Sequence, residues 1–220
     1  MYKAILFDMD GTLLNSVPCI ISSWQYILKK YLPQSHFSVS QILSFIGRPL
    51  KDQLLELVKD EEVAEQMLLC YRKDNIPKLQ QVDFFHGVLP LLTRLKSMGK
   101  SIGIVTSKNK RSLHVTLEKL QLADFFDVLI SCDDTQEHKP NPAPLLRAAE
   151  VLTVDPSECL YVGDARFDVQ CANAAGMDSF AVSWGAHCQE DLALDNPTHL
   201  ASSLNLHEFL AVIATKQGYD

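Results

Sequence analysis

No uninterrupted apolar run in this chain of 220 residues approaches the roughly 18 to 20 positions that a membrane-spanning helix needs. The N-terminal stretch also lacks the basic-then-apolar order of a secretory leader, so the expectation is a cytoplasmic protein with no membrane partner. Paired cysteines are missing too. The six cysteines (Cys19, Cys70, Cys132, Cys159, Cys171 and Cys188) form no Cys-x-x-Cys pair and keep no zinc-like spacing with the seven histidines, which argues against a structural zinc site and for core-filling thiols in a reducing compartment. Positive charge is scarce: 20 Lys and Arg stand against 27 Asp and Glu, a net charge of −7. Broad electrostatic capture of nucleic acid is therefore not expected. A small anion could still bind, provided cations are gathered locally or a metal carries the charge. There is no internal repeat and no low-complexity tract, which sets aside solenoids and disordered tails.

What is present is a strand, a helical stretch, and then a long alternation. Residues 3–7 form a short apolar run suited to a strand. Ser16 stands at an N-cap position, Pro18 falls in the first turn, and Val17, Ile20, Ile21, Trp24, Ile27, Leu28 and Tyr31 follow at helical spacing. Ser38 and Gln41 have capping-box spacing, residues 50–59 read as a helix, and Asp60 caps another with Val63, Met67, Leu68 and Tyr71 on one face. No convincing strand appears before Val82. From Gly87 onward, apolar runs at 102–106, 128–131, 160–163 and 179–183 alternate with helical spacing. That alternation predicts an α/β fold: a doubly wound, Rossmann-like parallel sheet with helices on both faces. Residues 1–14 and 83–220 would form this core domain, and residues 15–82 an inserted all-helical cap domain, with hinges near residues 14–16 and 81–87.

In an open parallel sheet, ligands bind beyond the carboxyl ends of the strands. Asp8, Asp10, Gly11 and Thr12 follow the first strand, and Thr106, Ser107 and Lys108 the second. Lys139 comes after the third, and Gly163-Asp164 with Asp168 after the fourth. Singly, each has a structural reading: Asp164 as a turn residue, Thr106-Ser107 as an N-cap, Lys139 as a solvated loop lysine, Asn141 as the cap of the helix begun by Pro142. Asp8 is harder to explain that way, because a carboxylate directly after a buried strand lies where an unpaired charge is costly. Carboxylates converging from several strands repel one another unless a cation sits among them, and hard oxygen donors suit Mg²⁺. Such a metal, with Lys139 and the backbone N–H groups of the Gly11 turn, makes a pocket for a phosphoryl dianion. An ionised Asp can attack phosphorus, and a second carboxyl two residues on can protonate the leaving oxygen and later activate water.

Asp8-Met9-Asp10-Gly11-Thr12-Leu13, Thr106-Ser107, Lys139-Pro140 and Gly163-Asp164 with Asp168 resemble, in order, the four motifs of the haloacid dehalogenase superfamily. The helical insertion and its Phe45-Ile46-Gly47-Arg48-Pro49-Leu50 segment resemble the small cap of the phosphoglycolate phosphatase and pyrophosphatase branches. The resemblance implies that Asp8 is the nucleophile and a Mg²⁺ ligand, and that Asp10 is the general acid/base and a ligand through its carbonyl. Thr106 and the Ser107 backbone would hold phosphoryl oxygens, Lys139 would neutralise the nucleophile–phosphate pair, Asp164 would bind the metal, and Asp168 would bind it or orient its waters. Asp10 disfavours the dehalogenase and phosphonate-hydrolase branches, which lack that second Asp; a phosphomutase shares all four motifs.

In the cap, Arg48 is the residue singled out for substrate choice, since a guanidinium grips a carboxylate or a second phosphate in bidentate fashion. Lys51 is a weaker candidate, and Lys108, Lys110 and Arg111 could add positive potential. The expected function is a Mg²⁺-dependent phosphatase acting on a small phosphorylated metabolite, with phosphoglycolate first and inorganic pyrophosphate second. A receiver-type phosphoacceptor is the remote alternative, because it needs no helical lid. The chain would act as a monomer or homodimer.

Overall fold

The computed structural model describes residues 1–122 and 124–215. Six strands form one sheet: β1 (Ala4–Phe7), β2 (Ser101–Val105), β3 (Val128–Ile130), β4 (Cys159–Gly163), β5 (Asp178–Val182) and β6 (His199–Ala201). Their order is β3-β2-β1-β4-β5-β6, and every neighbouring pair is parallel. The chain thus winds outward from β1 to β3, then returns to place β4 on the other side of β1. This reversal opens a crevice at the carboxyl ends of β1 and β4.

Alternation along the strands fills both faces. Ile5 and Phe7, with Ile104 and Val162, pack against α5 (Val88–Ser97), α6 (Lys110–Lys119) and α10 (Leu206–Thr215). Ala4 and Leu6, with Val105 and Tyr161, pack against α7 (Ala143–Leu152) and α8 (Arg166–Ala175). Because both faces are covered, β1 and β4 are buried at every position, which is why they read as continuous apolar runs.

Between β1 and α5 lie four helices: α1 (Val17–Tyr31), α2 (Val39–Leu43), α3 (Leu50–Val58) and α4 (Glu61–Leu79). They enclose a separate apolar cluster around Trp24, Ile27, Leu54, Met67 and Leu68. The Ser38–Gln41 capping box forms as expected, and the Asp60 carboxylate accepts from the Val63 N–H at 3.0 Å. Ser16 does occupy the N-cap position of α1, but its side chain makes no capping bond. Its own backbone is already close to helical, at φ −96° and ψ −14°, which turns Oγ away from the first-turn N–H groups. The alternation of apolar runs in the sequence predicts strands only as far as residue 183. Beyond it, the structure adds α9 (Gln189–Ala193), the edge strand β6 and α10. β6 has three residues and none of them is fully buried, too little to produce a periodic signal. Among the described residues no helix is long and apolar enough to cross a membrane.

Candidate active site

The Asp8 N–H donates to Val162 O at 2.8 Å, continuing the β1–β4 pairing one residue past the strand and fixing the Asp8 carboxylate at the crevice. Two residues later the chain turns through Gly11 at φ +82°, a conformation that favours glycine. A side chain there would also collide with Asp164, whose Oδ2 lies 2.1 Å from where a Cβ would stand. Asp164, directly after β4, is held by two donors: Thr12 Oγ1 to Oδ1 at 2.8 Å and the Ala186 N–H to Oδ2 at 2.7 Å. Asp168 lies in the first turn of α8. Its Oδ2 accepts from the Ala165 N–H at 2.9 Å, and its Oδ1 accepts from Lys139 Nζ at 2.6 Å. The Tyr161 hydroxyl accepts from Lys139 Nζ at 2.9 Å and lies 3.1 Å from Asp168 Oδ1 and 2.8 Å from Val105 O.

Asp8, Asp164 and Asp168 each offer an oxygen within 4.8 Å of the others, and all three are buried. Lys139 is equally buried, with Nζ 3.3 Å from Asp8 Oδ1. One cation therefore faces three carboxylates, and the imbalance appears in their protonation. Burial pushes Asp8 up to about 6, against the opposing pull of Lys139 and with added repulsion from Asp168. Burial, then repulsion from Asp168 and Asp8, holds Asp164 well above the ordinary carboxylate range. Burial disfavours the Lys139 ammonium, yet the attraction of Asp168 and Asp8 outweighs it and raises its affinity for the proton. Such a cluster must take up either protons or a cation. Asp8 Oδ1 is buried and has no hydrogen-bond partner among the described residues. An all-oxygen donor set with an oxygen left free fits a hard divalent cation such as Mg²⁺.

Above Asp8 a cavity of about 270 Å³ opens between the sheet edge and the four-helix insertion. Asp8, Asp10, Thr106 and Ser107 line it from below, and Arg48 and Lys51 from above. Thr106 is fixed by its N–H to Ile130 O at 2.9 Å. Asp10 Oδ2 pairs with Lys108 Nζ, while Asp10 Oδ1 is buried without a partner. Arg48 lines the cavity but already has two neighbours: it pairs with Glu56 and lies over the Phe167 ring, 5.7 Å from its centre. Four buried side-chain polar atoms lack a hydrogen bond among the described residues: Asp8 Oδ1, Asp10 Oδ1, Gln53 Oε1 and His138 Nδ1. All four residues line this one cavity. Orphaned buried polar atoms are rare in folded proteins, and their gathering here marks a surface shaped for a polar guest.

The structure brings the expected residues together in two groups that share Asp8: the charge cluster with Asp164, Asp168 and Lys139, and the cavity wall with Asp10, Thr106, Ser107 and Arg48. Several supporting residues escaped sequence reasoning. Gly185 and Ala186 wrap Asp164, and a Cβ on Gly185 would stand 2.2 Å from its Oδ2. A glycine shortly after a buried strand was the available signal. Tyr161, inside β4, reads as an ordinary core aromatic. His187 accepts the Arg166 N–H at Nδ1 (2.9 Å), which leaves Nε2–H to donate to Leu43 O at 3.2 Å and ties the insertion to α8.

A family model described as haloacid dehalogenase-like hydrolase matches residues 5–182. The chain belongs to the haloacid dehalogenase-like hydrolase family. It is 38% identical over 183 residues to pyrophosphatase PpaX of Bacillus cereus (strain B4264), covering 83% of each chain. It superposes on a crystal structure of a candidate haloacid dehalogenase-like hydrolase from Bacteroides fragilis with a TM-score of 0.84, at 29% identity, covering 93% of this chain and 98% of the other. A candidate phosphoglycolate phosphatase from Lactobacillus plantarum gives a TM-score of 0.82 at 28% identity, covering 96% and 99%. With these relatives, the haloacid dehalogenase-like chain falls in the phosphatase branch of its family.

Proposed function

We propose that the protein hydrolyses inorganic pyrophosphate by way of an aspartyl-phosphate on Asp8. The observation that carries this reading is the cavity wall: in a chain of net charge −7, Arg48, Lys51, Arg72 and Lys108 gather around the space above Asp8, where they match the carboxylates of Asp10, Asp52 and Asp133 in the same wall. Such a wall suits a substrate that stays anionic beyond the transferred phosphoryl group. The similarity to a pyrophosphatase supports the same choice over phosphoglycolate.

In this reading the Asp8 carboxylate attacks phosphorus with one oxygen while the other faces the metal position. The new O–P bond forms as the bridging P–O bond breaks, and Asp10 gives its proton to the departing phosphate. Asp10 then takes a proton from a water that attacks the same phosphorus, and the Asp8–phosphorus bond breaks to regenerate the carboxylate. Thr106, the Ser107 backbone, the N–H groups of the Gly11 turn and Lys139 hold the phosphoryl oxygens as their charge spreads. Asp8, Asp164 and the Asp10 carbonyl would hold Mg²⁺, with Asp168 beside them. The ion, when bound, supplies positive charge that balances the carboxylates and the phosphoryl oxygens. Asp168 already accepts from Lys139 and Ala165, so its larger task is to orient the lysine. The insertion closes the site from above and excludes bulk water.

The test is phosphate release with Mg²⁺ from pyrophosphate, phosphoglycolate and a set of sugar and nucleotide monophosphates, with Asp8→Asn as control. Preference for pyrophosphate is the expected result. Preference for phosphoglycolate would replace this reading with the second one, which the Lactobacillus plantarum relative supports and in which a carboxylate stands where the second phosphoryl group would.

A further inference from the structure

Four cations line the cavity, and they are not equally available. The Lys108 ammonium pairs with Asp10, and the Arg48 guanidinium pairs with Glu56 while covering the Phe167 ring. Lys51, in the first turn of α3, and Arg72, midway along α4, form no ion pair among the described residues. Lys51 is exposed and Arg72 half-buried, and both side chains line the same cavity as Asp8 and Asp10. Arg72 is also near enough to Cys132, on the loop after β3, for its charge to pull that thiol's proton affinity down against burial. Arg72 and Cys132 line the same cavity.

A second observation points the same way. Gln53 sits on α3 two residues from Lys51 and is more than nine-tenths buried. Its amide nitrogen donates to Arg48 O. That bond fixes which end is the oxygen, and Oε1 is left without a donor in the cavity wall. A buried acceptor in the same cavity wall as two cations without ion pairs leaves room for a polar guest: the cations would meet an anion, and Gln53 Oε1 would accept from a protonated phosphate oxygen or from one of the cations drawn in by it.

We propose that Lys51 and Arg72 bind the part of the substrate that is not transferred, and so select a leaving group that carries negative charge. This rests on the reading above in placing the transferred phosphoryl at Asp8, and it adds which residues read the rest. Arg48, anchored to Glu56 and stacked on Phe167, shapes the loop over the site. Lys51 and Arg72 supply the free charge. On the pyrophosphate reading, their ligand is the second phosphoryl group.

The test compares Lys51→Gln, Arg72→Gln and the double variant with the wild-type chain on pyrophosphate, phosphoglycolate and phenyl phosphate, whose leaving group is neutral once protonated. The expected result is a fall of about 10- to 100-fold in the ratio of kcat/KM for pyrophosphate to that for phenyl phosphate in the double variant, the size that loss of charge-assisted hydrogen bonds produces. Arg72→Lys should restore part of it. In an Asp8→Asn background, which holds substrate without turning it over, the same substitutions should weaken pyrophosphate binding more than orthophosphate binding. A ratio that stays constant, whether both activities fall or neither does, overturns the assignment. Should the wild-type chain leave pyrophosphate intact, the reading of the function fails. The subsite is then judged on the ratio of phosphoglycolate to phenyl phosphate: a fall in the variants upholds it and a constant ratio removes it. A wild-type chain that favours neither anionic substrate over phenyl phosphate overturns both.

Discussion

Replacing Lys139 with methionine, which keeps the length of the side chain and removes its charge, tests the electrostatic reading of the site directly. Lys139 Nζ lies 2.6 Å from Asp168 Oδ1 and 3.3 Å from Asp8 Oδ1, with the lysine side chain 1% exposed. Removing one partner of a buried ion pair costs about 3 to 5 kcal/mol, because the charge left behind has neither water nor a partner. For a chain of this length, about 2 to 4 °C of melting temperature is lost per kcal/mol, so the loss is about 6 to 20 °C where the carboxylates are ionised. The sign of its pH dependence follows from the direction of the shifts. Asp8 already sits at about 6 in the folded chain against 3.8 when unperturbed, and Asp164 is raised further. A carboxyl raised on folding adds stability below its unfolded value, and that stability is lost as pH climbs through the folded one. Without Lys139, Asp8 and Asp164 rise further, so protons screen the cluster more fully at pH 5 than at pH 8. Melting curves at pH 5 and pH 8, each with EDTA or with Mg²⁺, should show a small gap between variant and wild type at pH 5, a large gap at pH 8, and a gap at pH 8 that narrows with Mg²⁺. An equal gap at both pH values, indifferent to Mg²⁺, would mean that Lys139 acts through packing and that the charge argument is wrong.

Asp8→Asn should abolish phosphate release, and EDTA should do the same to the wild-type chain until Mg²⁺ is restored; full activity in Asp8→Asn would remove the proposed nucleophile. Asp10→Asn should lower kcat by about 10²- to 10⁴-fold, the usual contribution of a general acid/base, with little change in binding measured by calorimetry in an Asp8→Asn background. Gly11→Ala places a Cβ 2.1 Å from Asp164 Oδ2 at φ +82°. It should therefore weaken Mg²⁺ binding and lower the melting temperature, whereas Gly99→Ala, at φ +68° with nothing within 4 Å, should cost only about the 1 to 2 kcal/mol of the left-handed backbone. Equal effects of the two alanines on Mg²⁺ affinity would refute the contact with Asp164.

The chemistry was legible in the sequence because parallel strands concentrate it. Each buried run ends abruptly in polar residues, and the doubly wound topology sends all those ends to one edge, so Asp8, Thr106 and Asp164 could be grouped without coordinates. The uncharged residues that support the charge cluster were not legible. Tyr161 sits among apolar neighbours in β4, and only the placement of α8 turns its hydroxyl into a partner of Lys139 and Asp168. Ala186 serves through its N–H alone, and a backbone donor carries no side-chain signature.

The same division governs the insertion. Its helices were readable from caps and apolar spacing, but the use of its charges depends on pairings the chain does not announce. Glu56 lies eight residues from Arg48 and Phe167 more than a hundred, and their contacts with this cavity-lining arginine clasp the helical layer to α8. The clasp is reinforced nearby. Ser107 Oγ donates to Gly47 O at 2.8 Å, and Gly47, at φ +106°, packs so closely that a Cβ would stand 2.8 Å from that of Ala165. The Ser107 backbone, proposed to hold phosphoryl oxygens, thus belongs to the residue whose hydroxyl holds the lid. On that proposal, a shift of the 106–108 turn toward a bound phosphoryl group would have to be followed by the Gly47 loop or break the Ser107–Gly47 bond, which would couple filling of the phosphoryl site to the seating of the insertion.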